Sequence, residues 1–192
     1  MPAPLEIVAT GSIDVYLAVT GTADPVINVA VPAAYVKVGV AGSQDYGEDG
    51  LKIRKETENN EFFALGSYGT RKVFRVREKL FIELTLHDAT LEAYRDAFNQ
   101  TAITTLAGPP AEKTMQLLEG TATPTFRTLL IRATNGSAYM DAGVLQYWVP
   151  LVFQTGSPET VYRKSDPVGL ALQFTAVADA VNGFGKLHSQ TA

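Results

Sequence analysis

The chain has 192 residues, 46% of them hydrophobic and 19% charged, which is the composition of one globular domain with enough apolar surface for its own core. It has no cysteine and only two histidines, His87 and His188, which excludes disulfide frameworks, thiolate metal sites, Cys nucleophiles and a multi-histidine metal centre within one chain. Its 16 basic and 20 acidic residues leave a formal net charge of -4, ill suited to a protein that grips phosphate backbones.

The opening Met1-Pro2-Ala3-Pro4-Leu5-Glu6 lacks the basic start and apolar run of a signal peptide, so the chain is expected to act in the cytoplasm that makes it, or in an assembly built there. The dominant period along the chain is two. Ile13, Val15, Leu17 and Val19 alternate with Asp14, Tyr16 and Ala18 and predict a half-buried strand. Val31 to Val40 is a second candidate strand. Ser43 to Gly50 is a turn cluster in which Asp49-Gly50 is the strongest hairpin signal. Glu56 to Glu61 is polar and without period, and reads as an exposed loop. With Phe62-Phe63 and the Gly66-Ser67-Tyr68-Gly69-Thr70 segment it makes a long excursion from about residue 45 to 71. Loops of that length are usually functional or disordered, and two adjacent phenylalanines require something to pack on.

Lys72 to His87 is the clearest sheet region. Phe74, Val76, Leu80, Ile82, Leu84 and Leu86 share one parity; Arg75, Arg77, Lys79, Glu83, Thr85 and His87 share the other. Arg77-Glu78-Lys79 reads as a bend or a turn between two strands. A helix follows, with Asp88 as N-cap, Leu91, Tyr94 and Phe98 on one face and Asn99 at its end. Gly108-Pro109-Pro110 reads as a linker, and Ala111 to Leu118 as a short helix or a strand. Strands return at Thr125–Ala133, Leu145–Phe153 and Val168–Ala176, with Pro150 marking an edge or a bulge. Residues 179–192 read as a flexible C-terminal tail. The predicted class is mainly β: one domain over residues 1–178, a β-sandwich or flattened barrel of about seven to ten strands with one packed helix.

The residues offer little for catalysis. His87 and Asp88 are adjacent, but neighbours on a strand point to opposite faces, and Asp88 is better used as a cap. Asp45 to Gly50 lacks the ligand spacing of a calcium loop. The carboxylate pairs Glu48/Asp49 and Glu56/Glu58 read as solvated loop charges. The basic set Arg71, Lys72, Arg75, Arg77 and Lys79 is interrupted or flanked by Glu78, Glu83 and Asp88 and reads as a solvated or subunit-facing strand side. Gly66-x-x-Gly69 is followed by Thr70-Arg71, not by the Gly-Lys-Ser/Thr of a phosphate loop. No enzyme, cofactor or metal is expected. An oversized segment with aromatics, many strand edges and an acidic balance point instead to assembly.

Several segments in order carry a resemblance: Gly11-Ser12-Ile13-Asp14-Val15-Tyr16-Leu17-Ala18, Ala33 to Gly39, Tyr46-Gly47-Glu48-Asp49-Gly50-Leu51-Lys52-Ile53, Val73 to Val76, Leu80 to Leu86, and Asp88 to Asn99. Over about residues 11–100 this order and spacing resembles the major tail tube proteins of long, non-contractile-tailed bacteriophages. The chain departs from many relatives after the helix, where Gln100-Thr101-Ala102-Ile103 stands in place of a Gly-rich segment and glycine returns only at Gly108.

The resemblance implies a structural virion protein. Its copies would form hexameric rings that stack into a hollow tube, with strands lining the lumen, the helix outside, and a long loop reaching the next ring. That loop would correspond to residues 47–71, with Asp49, Leu51, Phe62, Phe63, Tyr68 and Arg71 as interface candidates. Implied partners are other copies of the chain, the tape-measure protein and transiting double-stranded DNA in the lumen, and tail terminator and distal tail proteins at the ends. The implied location is the virion tail, assembled in the bacterial host cytoplasm. Alternatives are a type VI secretion tube-like or baseplate ring protein, or a non-catalytic β-sandwich binding module.

Overall fold

The computed structural model describes residues 12–63, 65, 70, 72–88, 90–99, 102–117, 124–137, 139–140, 142–161, 164 and 168–191. It is mainly β, with antiparallel sheets and one helix. In chain order the elements are β1 (Ile13–Val19), β2 (Val36–Lys37), a 3-10 turn (Gly42–Asp45), β3 (Lys52–Phe62), β4 (Lys72–Leu86), α1 (Leu91–Ala97), β5 (Ile103–Leu106), β6 (Glu112–Met115), β7 (Arg127–Ala133), β8 (Leu145–Gln154), β9 (Thr160–Val161), β10 (Gly169–Ala176) and β11 (Lys186–Ser189). The main sheet runs β2-β1-β7-β8-β10-β4-β3, with β11 added to β8 and β9 to β10. The β5–β6 hairpin stands apart as a second sheet.

The sheet folds over on β8. One edge of β8 pairs with β7. The other edge is shared: Leu145 to Trp148 pair with β11, and Val152 to Gln154 pair with β10. Between these halves the register slips, since Arg127 faces Val152 but Leu129 faces Val149. The extra residue lies in the stretch containing Pro150, which has no N–H for a ladder and so fits a bulge inside an internal strand. Buried Thr128 donates through its hydroxyl to the Pro150 carbonyl at 2.9 Å. The bend lets the two halves face each other. Val15 and Leu17, Leu129 and Ile131, and Val149 and Val152 meet Ile82, Leu84, Leu86, Leu170, Leu172 and Phe174 in the main core.

A second, smaller core covers the opposite face of β1, β7 and β8. Ala18, Leu130 and Trp148 pack there against Tyr35 from the segment that follows β1. The Trp148 indole donates to the Tyr35 hydroxyl at 3.1 Å, and that hydroxyl donates to the Ala23 carbonyl at 2.8 Å. With both faces covered, these strands bury residues of both parities, as Leu129, Leu130 and Ile131 do in succession.

The structure corrects several expectations. Glu56 to Glu61, expected as loop, are the middle of β3 and pair with β4. They lack an amphipathic period because both faces of the strand are solvated, so only the ladder partner defines it. Arg77-Glu78-Lys79 do not turn; β4 runs through them. Within Val31–Val40 only Val36 and Lys37 pair as a strand. Gly108-Pro109-Pro110 turns the β5–β6 hairpin rather than linking domains. Residues 179–192, expected as a tail, include β11, which completes the exposed half of the β8 edge. The helix N-cap is Thr90, whose hydroxyl accepts from the Ala93 amide at 3.3 Å. Asp88 acts one step earlier: its carboxylate accepts from the Thr90 amide and hydroxyl and from the Val40 amide. Asn99 ends the helix in the left-handed region, at φ 54.

Candidate assembly interface

The outstanding surface feature is the β3–β4 hairpin. β4 has its last pair with β10 at Leu80–Ala176; its remaining residues, 72–79, pair only with β3. At roughly 3.3 Å per residue this arm reaches about 25 Å beyond the body. All eleven residues of β3 are exposed. A two-stranded ribbon alone in water is at best marginally stable, so the arm's ion pairs matter locally. Arg54 pairs with Glu56 at 2.6 Å and with Glu83 at 3.5 Å, and Lys55 pairs with Glu78 at 3.3 Å. Arg75 pairs with Glu78 at 2.7 Å, and Arg77 lies 4.0 Å from Glu58. Of the basic set, Arg75 and Arg77 are thus matched by carboxylates of their own hairpin, while Lys79 stands over the Phe81 ring.

Towards the tip the character changes. Phe62 is 56% exposed, Phe63 57% and Phe74 49%, and Val73, Val76 and Leu65 are exposed with them. Lys72 stands over the Phe74 ring at 4.8 Å. A register slip between Glu58 and Asn59 leaves Val76 without an opposite residue. Beyond that bulge Asn60 faces Phe74 and Phe62 faces Lys72, so Phe62 and Phe74 come to one face of the ribbon. Contiguous exposed apolar side chains of this kind mark interaction surfaces.

The sequence-nominated residues divide accordingly. Phe62 and Phe63 form part of this apolar tip. Asp49 is exposed in the turn before β3, 3.7 Å from the Lys52 ammonium. Leu51 packs half-buried against the main core at the arm's base, where it anchors the hairpin rather than presenting a surface. The Asp49-Gly50 signal turns the chain at Gly47 to Gly50, with a 2.8 Å backbone bond and Gly50 at φ 65. Tyr68 and Arg71 lie outside the described residues. Phe74, Val73 and Val76 were not nominated. Regular alternation puts Phe74 and Val76 on the core face of β4, and the bulge that overrides it has no sequence signature.

A polar cluster on the far face has a different role. Fully buried Gln146 donates to the Pro25 carbonyl at 2.8 Å and accepts from the Arg132 guanidinium at 2.5 Å. Arg132 also donates to the carbonyls of Val29 at 2.7 Å and Val26 at 3.3 Å. Burial pulls the Arg132 pKa down from its ordinary value, with the nearby Tyr16 acting against it. Asp24 meets His188 Nε2 at 2.8 Å and Lys186 at 3.7 Å. These bonds clamp the segment after β1 onto the sheet. The Gln146 bond satisfies the buried Pro25 carbonyl, a group costly to leave unpaired. His87 is exposed and lies 3.2 Å from the Val168 carbonyl. Among the described residues, no group of three or more His, Cys, Asp or Glu is placed to hold a metal ion, and no helix is long and apolar enough to cross a membrane. No protein-family model matches the chain, and no curated protein matches it.

Proposed function

We propose that this chain is a self-assembling structural subunit, the major tail tube protein of a long, non-contractile-tailed bacteriophage, whose copies form hexameric rings stacked into a conduit for DNA. The observation that carries this reading is the projecting β3–β4 arm with its aromatic tip. An eleven-residue strand with no buried residue and a cluster of exposed phenylalanines gain their burial from another molecule. The outer edge of β3 also offers a long unpaired ladder that a neighbouring sheet can complete, which removes an aggregation hazard. A ring interface closes, whereas repeated head-to-tail stacking stays open and builds a filament. The net charge of -4 goes with a conduit that passes DNA without holding it, since each Lys or Arg contact to phosphate adds affinity. In this reading the tape-measure protein and then DNA occupy the lumen, and terminator and distal tail proteins cover the ends.

The test is negative-stain electron microscopy of the purified protein, dilute and concentrated. Hollow six-fold rings or tubes are expected. A persistent monomer at high concentration, even with tail-tip complexes added as nuclei, overturns the reading in favour of a monomeric binding module. Rings that never lengthen favour a baseplate-type ring component.

A further inference from the structure

The proposed assembly requires a surface that receives the arm tip, and the strand register restricts where it lies. β4 runs antiparallel to β10, β10 antiparallel to β8, β8 antiparallel to β7, and β7 antiparallel to β1. The arm therefore leaves the body towards the ends marked by Ile13, Ala133 and Leu145. At the opposite ends, beside Val19 and Arg127, an open groove of about 340 Å³ is lined by Val19, Ala34, Val36, Phe126, Arg95 and Arg127, with Asp96 at its wall. Val19 is 80% exposed and Val36 64%. Arg95 and Arg127 both reach the same carboxylate oxygen of Asp96, each at 3.1 Å. Two guanidiniums share one carboxylate, so the groove keeps one positive charge in excess beside an apolar floor.

The arm tip is its complement. Glu61 precedes Phe62 and Phe63, an acid followed by two exposed aromatics. The Glu61 carboxylate accepts from the Thr70 hydroxyl at 2.8 Å and is otherwise presented on an exposed strand end. We infer that the groove between α1 and the ends of β1 and β7 receives the Glu61-Phe62-Phe63 tip of a second copy of this chain. The tip enters the groove edge-on: the Phe62 ring lies on Val19, Ala34 and Val36, and the Glu61 carboxylate, on the opposite face of β3, meets Arg95 and Arg127 across from them. Tip and groove are at opposite ends of the sheet, so the contact is head-to-tail and does not close on itself. This inference rests on the self-assembly reading and adds the receiving surface.

The natural chain has no cysteine, so introduced pairs report contact cleanly. The experiment compares Phe62→Cys/Ala34→Cys with Phe62→Cys/Leu187→Cys, each as the full chain at assembling concentration under mild oxidation. Leu187 borders a different, apolar opening of about 150 Å³ beneath Trp148 and Phe184. A disulfide-linked ladder of multimers is expected from the first pair and not from the second. Adding Glu61→Lys to the first pair is expected to reduce the ladder severalfold while circular dichroism and the melting temperature stay unchanged. Tubes that form without a ladder from the first pair, or with one from the second, overturn the groove assignment and leave self-assembly standing. An unchanged ladder yield with Glu61→Lys overturns the charge-matched contact. No multimer of any variant or of the natural chain overturns both readings.

Discussion

Arg75 and Glu78 stand three residues apart on one strand, yet their side chains form an ion pair at 2.7 Å. In a regular strand such residues point to opposite faces. They meet because Val76 is an extra residue in β4, inserted where the β3 register slips between Glu58 and Asn59. The bulge turns the outer part of β4 over, and with it Phe74, which joins Phe62 on one face.

Inserting one residue between Glu58 and Asn59, opposite Val76, restores a regular ladder and parts Arg75 from Glu78. The body is expected to keep its fold, with stability within about 0.5 kcal/mol of the natural protein, because the change is confined to exposed residues. The tip aromatics change faces, and assembly is expected to fail. Urea unfolding and electron microscopy of the same preparation check the two halves of this expectation; tubes of normal appearance would show that the orientation of the tip does not matter.

Shortening the arm is a coarser test. Replacing residues 58–77 by Asn-Gly leaves Thr57 opposite Glu78 in the native register, keeps Leu51, Ile53, Leu80 and Ile82, which belong to the core or pack on or near it, and supplies a two-residue hairpin turn. A monomer with native circular dichroism and cooperative unfolding is expected, with no rings or tubes by sedimentation. A shortened chain that still builds tubes removes the arm from the assembly.

The pairing of Trp148 with Tyr35 predicts a specific loss. Tyr35→Phe deletes the acceptor of the indole N–H and the donor to the Ala23 carbonyl while leaving the ring packed. The buried indole N–H and the part-buried Ala23 carbonyl each lose a partner, so a destabilisation of about 1–3 kcal/mol is expected. The chain's single tryptophan makes its fluorescence during urea unfolding a direct readout at this site.

The buried phenols predict loss of stability in alkali. Tyr46 donates to the Val38 carbonyl at 3.0 Å and accepts from the Val15 amide at 2.9 Å. Burial raises its pKa well above the ordinary value and the charge of Asp14 adds to the rise, although the Val15 amide works against it. Burial also raises Tyr16 and Tyr35. A group whose folded pKa lies above its unfolded value contributes fully below the unfolded pKa, and the contribution is lost as pH climbs towards the folded one. Unfolding free energy is therefore expected to fall above about pH 10, where free phenols ionise. In Tyr46→Phe that fall should be shallower. Urea unfolding at a series of alkaline pH values measures both slopes, and equal slopes would remove Tyr46 from the account.

Reading the sequence alone recovers the elements that bury one parity or one helical face: β1, the inner half of β4, β8, β10 and α1. Alternation there is a direct imprint of one wet side and one dry side. Phe62 and Phe63 could be singled out because two adjacent aromatics in a polar stretch demand a partner. β3 and β11 left no such imprint. β3 has water on both faces, and β11 is short and largely exposed, so only backbone pairing with β4 and β8 makes them strands.

Composition and period by themselves determined a mainly β domain with one helix and no thiol chemistry, since these follow from residue identities and local spacing. Tertiary structure alone decided that the polar stretch after Leu51 is an arm, that Val76 turns its tip over, and that Arg95, Arg127, Val19 and Val36 line one groove. Those residues come from four separate segments, and the chain brings them together only through the register of non-local strands. Register is an energy shared between distant backbones and side chains, and no local run of residues encodes it.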